Sequence, residues 1–149
     1  MRDGFLKILD SQHVRKKCYN AVMIIKKLEE IIGTDRDVNW GNGKSRRLLL
    51  KSDKFPFTIT ETTVKAGTES KLQYLNHAEA CYCIDGEGEV ESDGKIYKIE
   101  PGTLYVPEKD KHFLRAKNKD LKLVCVFVPP LKGSEHHRLS EDGYSSYES

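Results

Sequence analysis

The chain has 149 residues, 38% of them apolar, which suits one domain around one core and excludes a multidomain assembly. Its 25 basic and 23 acidic residues nearly cancel, and no stretch clusters Lys and Arg with interleaved aromatics, so nucleic acid is not an expected partner. No run approaches the ~20 apolar residues that cross a bilayer, and "MRDGFLKILDSQHVRKK" lacks the apolar core of a signal peptide, so no membrane association and a cytoplasmic location are expected.

Residues 1–22 mix charge with a weak helical pattern and read as an N-terminal extension, possible arm or helix, ahead of a domain spanning 23–138. "MIIKKLEEIIG" predicts a short apolar strand and then a helical turn ending at Gly33. After it the period changes. "RRLLL", "PFTITETTV", "KLQYL", "EACYCI", "EVESDGKIYKIE", "TLYVP", "HFLRAK" and "LKLVCVFVPP" are short, rich in β-branched and aromatic residues, and separated by Gly, Pro, Asp and Asn. Such a series is all-β, a sandwich or a barrel. Asp93-Gly94 between two strand-like runs predicts a hairpin. "GEGEV" superficially resembles a phosphate-binding glycine loop, but no helix follows, so a turn is expected. The end of the chain, residues 139–149, is small, polar and acidic, and is expected to fray.

Alternation assigns faces within these strands. Glu79, Cys81 and Cys83 share one side of "EACYCI", opposite Ala80, Tyr82 and Ile84. Thr58, Thr60 and Thr62 share a side of "FTITETTV", and Leu123, Cys125 and Phe127 a side of "LKLVCVFV". If these faces look inward, they line a pocket that is apolar at one end and carries hydroxyls, thiols and a carboxylate at the other. Four cysteines, Cys18, Cys81, Cys83 and Cys125, show no disulfide framework, and reduced thiols are expected. C-x-C on a strand without a second pair is poor zinc spacing, so spacing alone favours Cys81 and Cys83 as lining. An inward Glu79 is costly unless paired, hydrogen-bonded or bound to a metal.

A glutamate followed by "YCIDGEGEV", a hairpin, Pro101-Gly102, a strand, Pro107 and His112 resembles the two cupin motifs, which implies a small double-stranded β-helix barrel, jelly-roll-like, with a site inside. Cupins that bind metal usually carry His-x-His before the glutamate; here "LQYLNHAE" puts Gln73, Tyr74 and Leu75 there. Read as a generic cupin, the chain keeps only Glu79 and His112, and a metal-free solute-binding barrel or a cupin enzyme of other specificity stays open.

A closer resemblance lies in "NWGNGKSRRLLL", "GTESKLQYLNHAEACYCIDGEGEVE", "PGTLYVPEKDKHFLRAK" and "LVCVFVPPLKGSEHH". These stretches are similar, in order from Met23 to His137, to the ectoine synthase family of cupin lyases. The resemblance implies an iron(II) site on Glu79, Tyr105 and His112, and the cyclisation of N-γ-acetyl-L-2,4-diaminobutyrate to the compatible solute ectoine with loss of water. It places Tyr74 and His77 as candidates for proton transfer. It places Trp40, Arg47, Thr60, Thr62, Cys125, Phe127, Glu135 and His137 around the substrate, and it implies a homodimer. The bland alternatives are an inward barrel tyrosine for Tyr105, a strand-end histidine for His112, and a loop histidine for His77. Either Arg46 or Arg47 is the inward arginine. Mixed oxygen and nitrogen donors suit iron(II), and metal charge lowers a phenol pKa enough to make it a ligand.

Overall fold

The computed structural model describes residues 23–139 and 143–147; the N-terminal extension lies outside the described residues. A short helix, α1 (Leu28–Ile31), leads into β1 (Asp37–Asn39), β2 (Gly43–Leu49), β3 (Thr58–Val64), β4 (Glu69–Leu72), β5 (Ala78–Asp85) and β6 (Gly88–Ser92). Then come β7 (Lys95–Ile99), β8 (Leu104–Tyr105), β9 (His112–Ala116), β10 (Leu121–Val128), β11 (His137–Leu139) and β12 (Ser145–Tyr147). They form two six-stranded sheets, in the orders β1-β2-β3-β10-β5-β8 and β11-β12-β4-β9-β6-β7. Strands distant in sequence are neighbours, as in the predicted barrel.

The predicted faces are the observed ones. Burial alternates along β5 and β10 with Glu79, Cys81, Cys83, Leu121, Leu123, Cys125 and Phe127 inward, while Tyr82, Ile84 and Val128 are exposed. Both sheets contribute to one buried cluster, with Val64, Cys81 and Leu123 from the first and Leu72, Val90, Ile99 and Leu114 from the second. The β6–β7 hairpin turns at Asp93 and Gly94, whose φ values of 50° and 72° are the left-handed pair an Asp-Gly hairpin uses. Glycine in "GEGEV" serves close packing: a Cβ on Gly88 would run into the carbonyl oxygen of Arg115 on β9.

Three local expectations differ from the structure. Residues 23–27 form no strand, and Met23 and Ile25 are exposed; an apolar run needs a neighbour's backbone before it becomes a ladder, and hydrophobicity alone supplies none. The segment after residue 138, expected to fray, instead carries β12, which pairs with β11 and touches β4 through Ser145 and Leu72. Its anchor is Tyr147, which is 4% exposed and packs in the core cluster. β1 also went unseen in the sequence, because "DVN" is too short to show a period. It completes a hairpin with β2, pairing Asp37 with Arg46.

The entry to the first sheet is clamped by Asp53. Its carboxylate accepts from Lys26 Nζ at 2.7 Å, Arg36 Nη1 at 2.9 Å and the Leu50 backbone at 2.9 Å. Burial works against its charge, but these donors hold the Asp53 carboxyl well below the usual range.

Candidate metal and substrate site

β5 runs between β10 and β8, and register brings three inward side chains into one row. Cys81 is the Cα partner of Cys125 on one side and of Tyr105 on the other. Glu79 stands two residues before Cys81 on the same face, opposite Phe127. The Cys81 thiol donates to Glu79 Oε1 at 3.1 Å, and the ligand atoms of Glu79, Cys81 and Cys125 all lie within 4.8 Å of one another.

This cluster is buried, and burial favours the protonated form of its acidic groups. Burial pushes the Glu79 carboxyl up to about 7, opposed only by the Cys81 hydrogen bond, so no Lys or Arg among the described residues offsets its charge. Burial likewise pushes the phenols of Tyr74 and Tyr105 well above their ordinary range, with Glu79 and the neighbouring thiols adding to it. His112 enters from β9 in the facing sheet. It is 1% exposed, and its Nδ1 lies 2.9 Å from the Asp110 carbonyl oxygen, which accepts the Nδ1 proton and leaves Nε2 as a bare lone pair. Nε2 is buried with no hydrogen-bond partner among the described residues, and burial holds the imidazole below its ordinary pKa. A buried carboxylate without a cation, a phenol, a free imidazole nitrogen and two thiols are a donor set that fits a divalent transition metal.

Seven of the predicted site residues, Trp40, Thr62, Tyr74, Glu79, Tyr105, Cys125 and Phe127, line one enclosed cavity with Leu72, Leu114, Leu123 and Tyr147. Its free space is about 20 Å³, room for a water or an ion rather than an organic acid. His112 lines another cavity, and Tyr105 lines both. His112 is not in the tight Glu79–Cys81–Cys125 group.

The remaining predicted residues are not among those that line this cavity. Arg47 is the inward arginine, fully buried, donating from Nη1 to the Gly133 carbonyl at 2.8 Å and from Nη2 to the Glu135 carbonyl at 2.6 Å. Arg46 points outward to Asp37 and Glu61. Glu135 is turned to its own loop and accepts from the Lys132 and Gly133 backbones at 2.6 and 2.8 Å. Burial would raise its pKa, yet these donors and Arg47 hold it low, so it stays an anion. Thr60 is buried with its hydroxyl 2.9 Å from that of Thr62. His77 is buried rather than a loop histidine in solvent; its Nδ1 lies 2.8 Å from the Pro129 carbonyl and it lines a separate cavity with Glu135. His137 opens β11 in register with Tyr147.

Two residues escaped the sequence. Tyr147 lines the cavity, its ring 5.2 Å from Tyr74, 5.5 Å from Phe127 and under the Arg47 guanidinium at 5.6 Å. Only its aromaticity within a polar tail hinted at it. Cys81 read as lining because its partner thiol comes from β10, forty-four positions on, and no local spacing encodes that register.

The family model described as ectoine synthase matches residues 23–148 of the chain. An L-ectoine synthase of Halalkalibacterium halodurans is 50% identical over 118 residues, covering 77% of this chain and 91% of that protein. The crystal structure of ectoine synthase from P. lautus superposes with a TM-score of 0.72 at 48% identity, covering 75% of this chain and 82% of that one. A cupin 2 conserved barrel domain protein from Salinispora arenicola shares the fold, with a TM-score of 0.58 at 19% identity over 72% of this chain and 90% of that one.

Proposed function

Because the chain belongs to the ectoine synthase family, we propose that it is an L-ectoine synthase, a carbon-oxygen lyase that closes N-γ-acetyl-L-2,4-diaminobutyrate into ectoine. The observation that carries the reading is the one cavity in which Glu79 and Tyr105 meet Trp40, Thr62, Tyr74, Cys125 and Phe127. The α-amine nitrogen attacks the acetamide carbonyl carbon, a six-membered ring forms, and the carbonyl oxygen leaves with two protons as water. This intramolecular attack needs a folded-back substrate, and enclosure between the sheets holds that geometry, a term worth ~7 to 11 kcal/mol when alignment is good.

Glu79, Tyr105 and His112 are the residues that hold iron(II). When bound, the metal supplies Lewis acidity toward the carbonyl oxygen. Tyr74, kept protonated by burial, faces the same cavity and donates a proton to the departing oxygen. Trp40 and Phe127 wall the ring. Arg47, Glu135 and His77 act from behind this wall: Arg47 fixes the 133–135 loop through two carbonyls and offers its charge through the Tyr147 ring. The enzyme works in the cytoplasm as a homodimer, and its product serves as an osmoprotectant under osmotic stress.

Purified protein loaded anaerobically with iron(II) is expected to convert the acetylated diamine to the cyclic amidine, and Glu79→Ala to lose both iron and turnover. Full iron content and turnover in Glu79→Ala would refute the ligand assignment. Solute binding indifferent to metal, with no turnover, would replace the enzyme by a metal-free binding cupin. Tyr74→Phe is expected to lower kcat by about 10²-fold with iron content unchanged.

A further inference from the structure

Glu79 and Tyr105 do not face each other directly. Tyr105 is in register with Cys81, and Glu79 stands one inward step along β5 from Cys81. Cys81 therefore links the two, its backbone paired with Tyr105 and its thiol bonded to Glu79. That thiol is fully buried, already bonds Glu79 Oε1 at 3.1 Å, and has the Cys125 sulfur from β10 within 4.8 Å. Soft sulfur and a hard carboxylate oxygen at this spacing together favour iron(II), cobalt(II) or zinc(II) over magnesium.

We propose that Cys81 is a further metal ligand, its sulfur entering the coordination shell beside Glu79 and Tyr105. The inference rests on the metal reading of the site made above. As the metal–sulfur bond forms, the S–H bond breaks and the proton leaves to water, while the metal keeps its oxidation state. The Glu79 carboxylate loses the thiol hydrogen bond in the same step and turns that oxygen to the ion. Cys125 lines the cavity with Glu79 and Tyr105 and keeps its sulfur within 4.8 Å of that of Cys81, and Cys83, whose thiol faces the Asp85 carbonyl at 3.5 Å, takes no part.

The test uses the full chain, reduced with a phosphine and titrated anaerobically with cobalt(II). Wild-type protein is expected to show both ligand-field bands and a near-ultraviolet thiolate-to-cobalt charge-transfer band. Cys81→Ala and Cys81→Ser are expected to keep ligand-field bands, lose the charge-transfer band, and bind cobalt(II) about 10-fold to 100-fold more weakly, the loss that even outer-shell partners produce. Cys83→Ala and Cys125→Ala are expected to keep the band. Thermal unfolding of each variant checks the fold, and the serine variant decides if the alanine variant does not fold. Ligand-field bands in wild type without a charge-transfer band would overturn the role of Cys81 and leave the metal site standing. A band that survives in both Cys81 variants would overturn it as well. No cobalt(II) or iron(II) retained on dialysis of wild type would overturn the metal reading and this inference together.

Discussion

Glu79 makes the site sensitive to protons before any metal binds. Its pKa moves from the ordinary 4.5 to about 7 on folding, so the metal-free folded chain keeps a proton that the unfolded chain releases in that window. The contribution is fully present below pH 4.5 and is lost as the pH rises through about 7. It amounts to about 3 kcal/mol. Urea denaturation of chelator-treated protein is expected to show stability falling across this window in wild type and a flatter profile in Glu79→Gln. Bound metal favours the carboxylate and is expected to reverse the slope. Arg47 supports the site through geometry. A lysine cannot reach both the Gly133 and Glu135 carbonyls with a planar fork, so Arg47→Lys is expected to raise KM more than it lowers kcat, with Tm reduced by a few degrees.

At the scale of elements, the clamp at Asp53 and the strand carrying Tyr147 matter most. Asp53 joins the segment around Lys26, Arg36 and the Leu50 backbone into one unit at the entry of the first sheet. Asp53→Ala is expected to cost about 2 kcal/mol in chemical denaturation, since it strands two half-buried cationic donors and a backbone amide. Because the Asp53 pKa is lowered in the fold, this contribution is present above the ordinary carboxylate range and is lost as the pH falls below it. β12 is short and tied to β4 through a single residue pair, while Tyr147 lines the cavity. The free space of about 20 Å³ is smaller than the proposed substrate, so the lining has to move for it to enter. Tyr147→Ala is expected to expose the tail to limited proteolysis and to raise KM, with the core protected from hydrogen exchange as before.

Over the whole molecule, apolar side chains gather on the outside of the first sheet. Tyr82 and Leu104 are direct partners on β5 and β8 and are exposed, as are Val106 and Val128, and the segment with Met23 and Ile25 is uncovered. A second copy covering such a surface is the arrangement expected of a homodimer. Light scattering is expected to give twice the protomer mass, and Tyr82→Lys with Leu104→Lys to shift it to the monomer while the secondary structure stays intact.

Much of this was legible in the chain. Alternation in "EACYCI", "FTITETTV" and "LKLVCVFV" is enough to say which side chains share a face, because the pleat repeats every second residue whatever the strand packs against. Turn chemistry at Asp93-Gly94 locates a hairpin for the same local reason, and the quoted stretches carried the family. Local periodicity carries no information about which strand lies beside which. That Cys81 stands between Cys125 and Tyr105, that Arg47 rather than Arg46 is inward, and that Tyr147 returns from the tail to line the cavity depend on register between segments far apart in sequence. Register is chosen by burial summed over two whole sheets, and only the folded chain performs that sum.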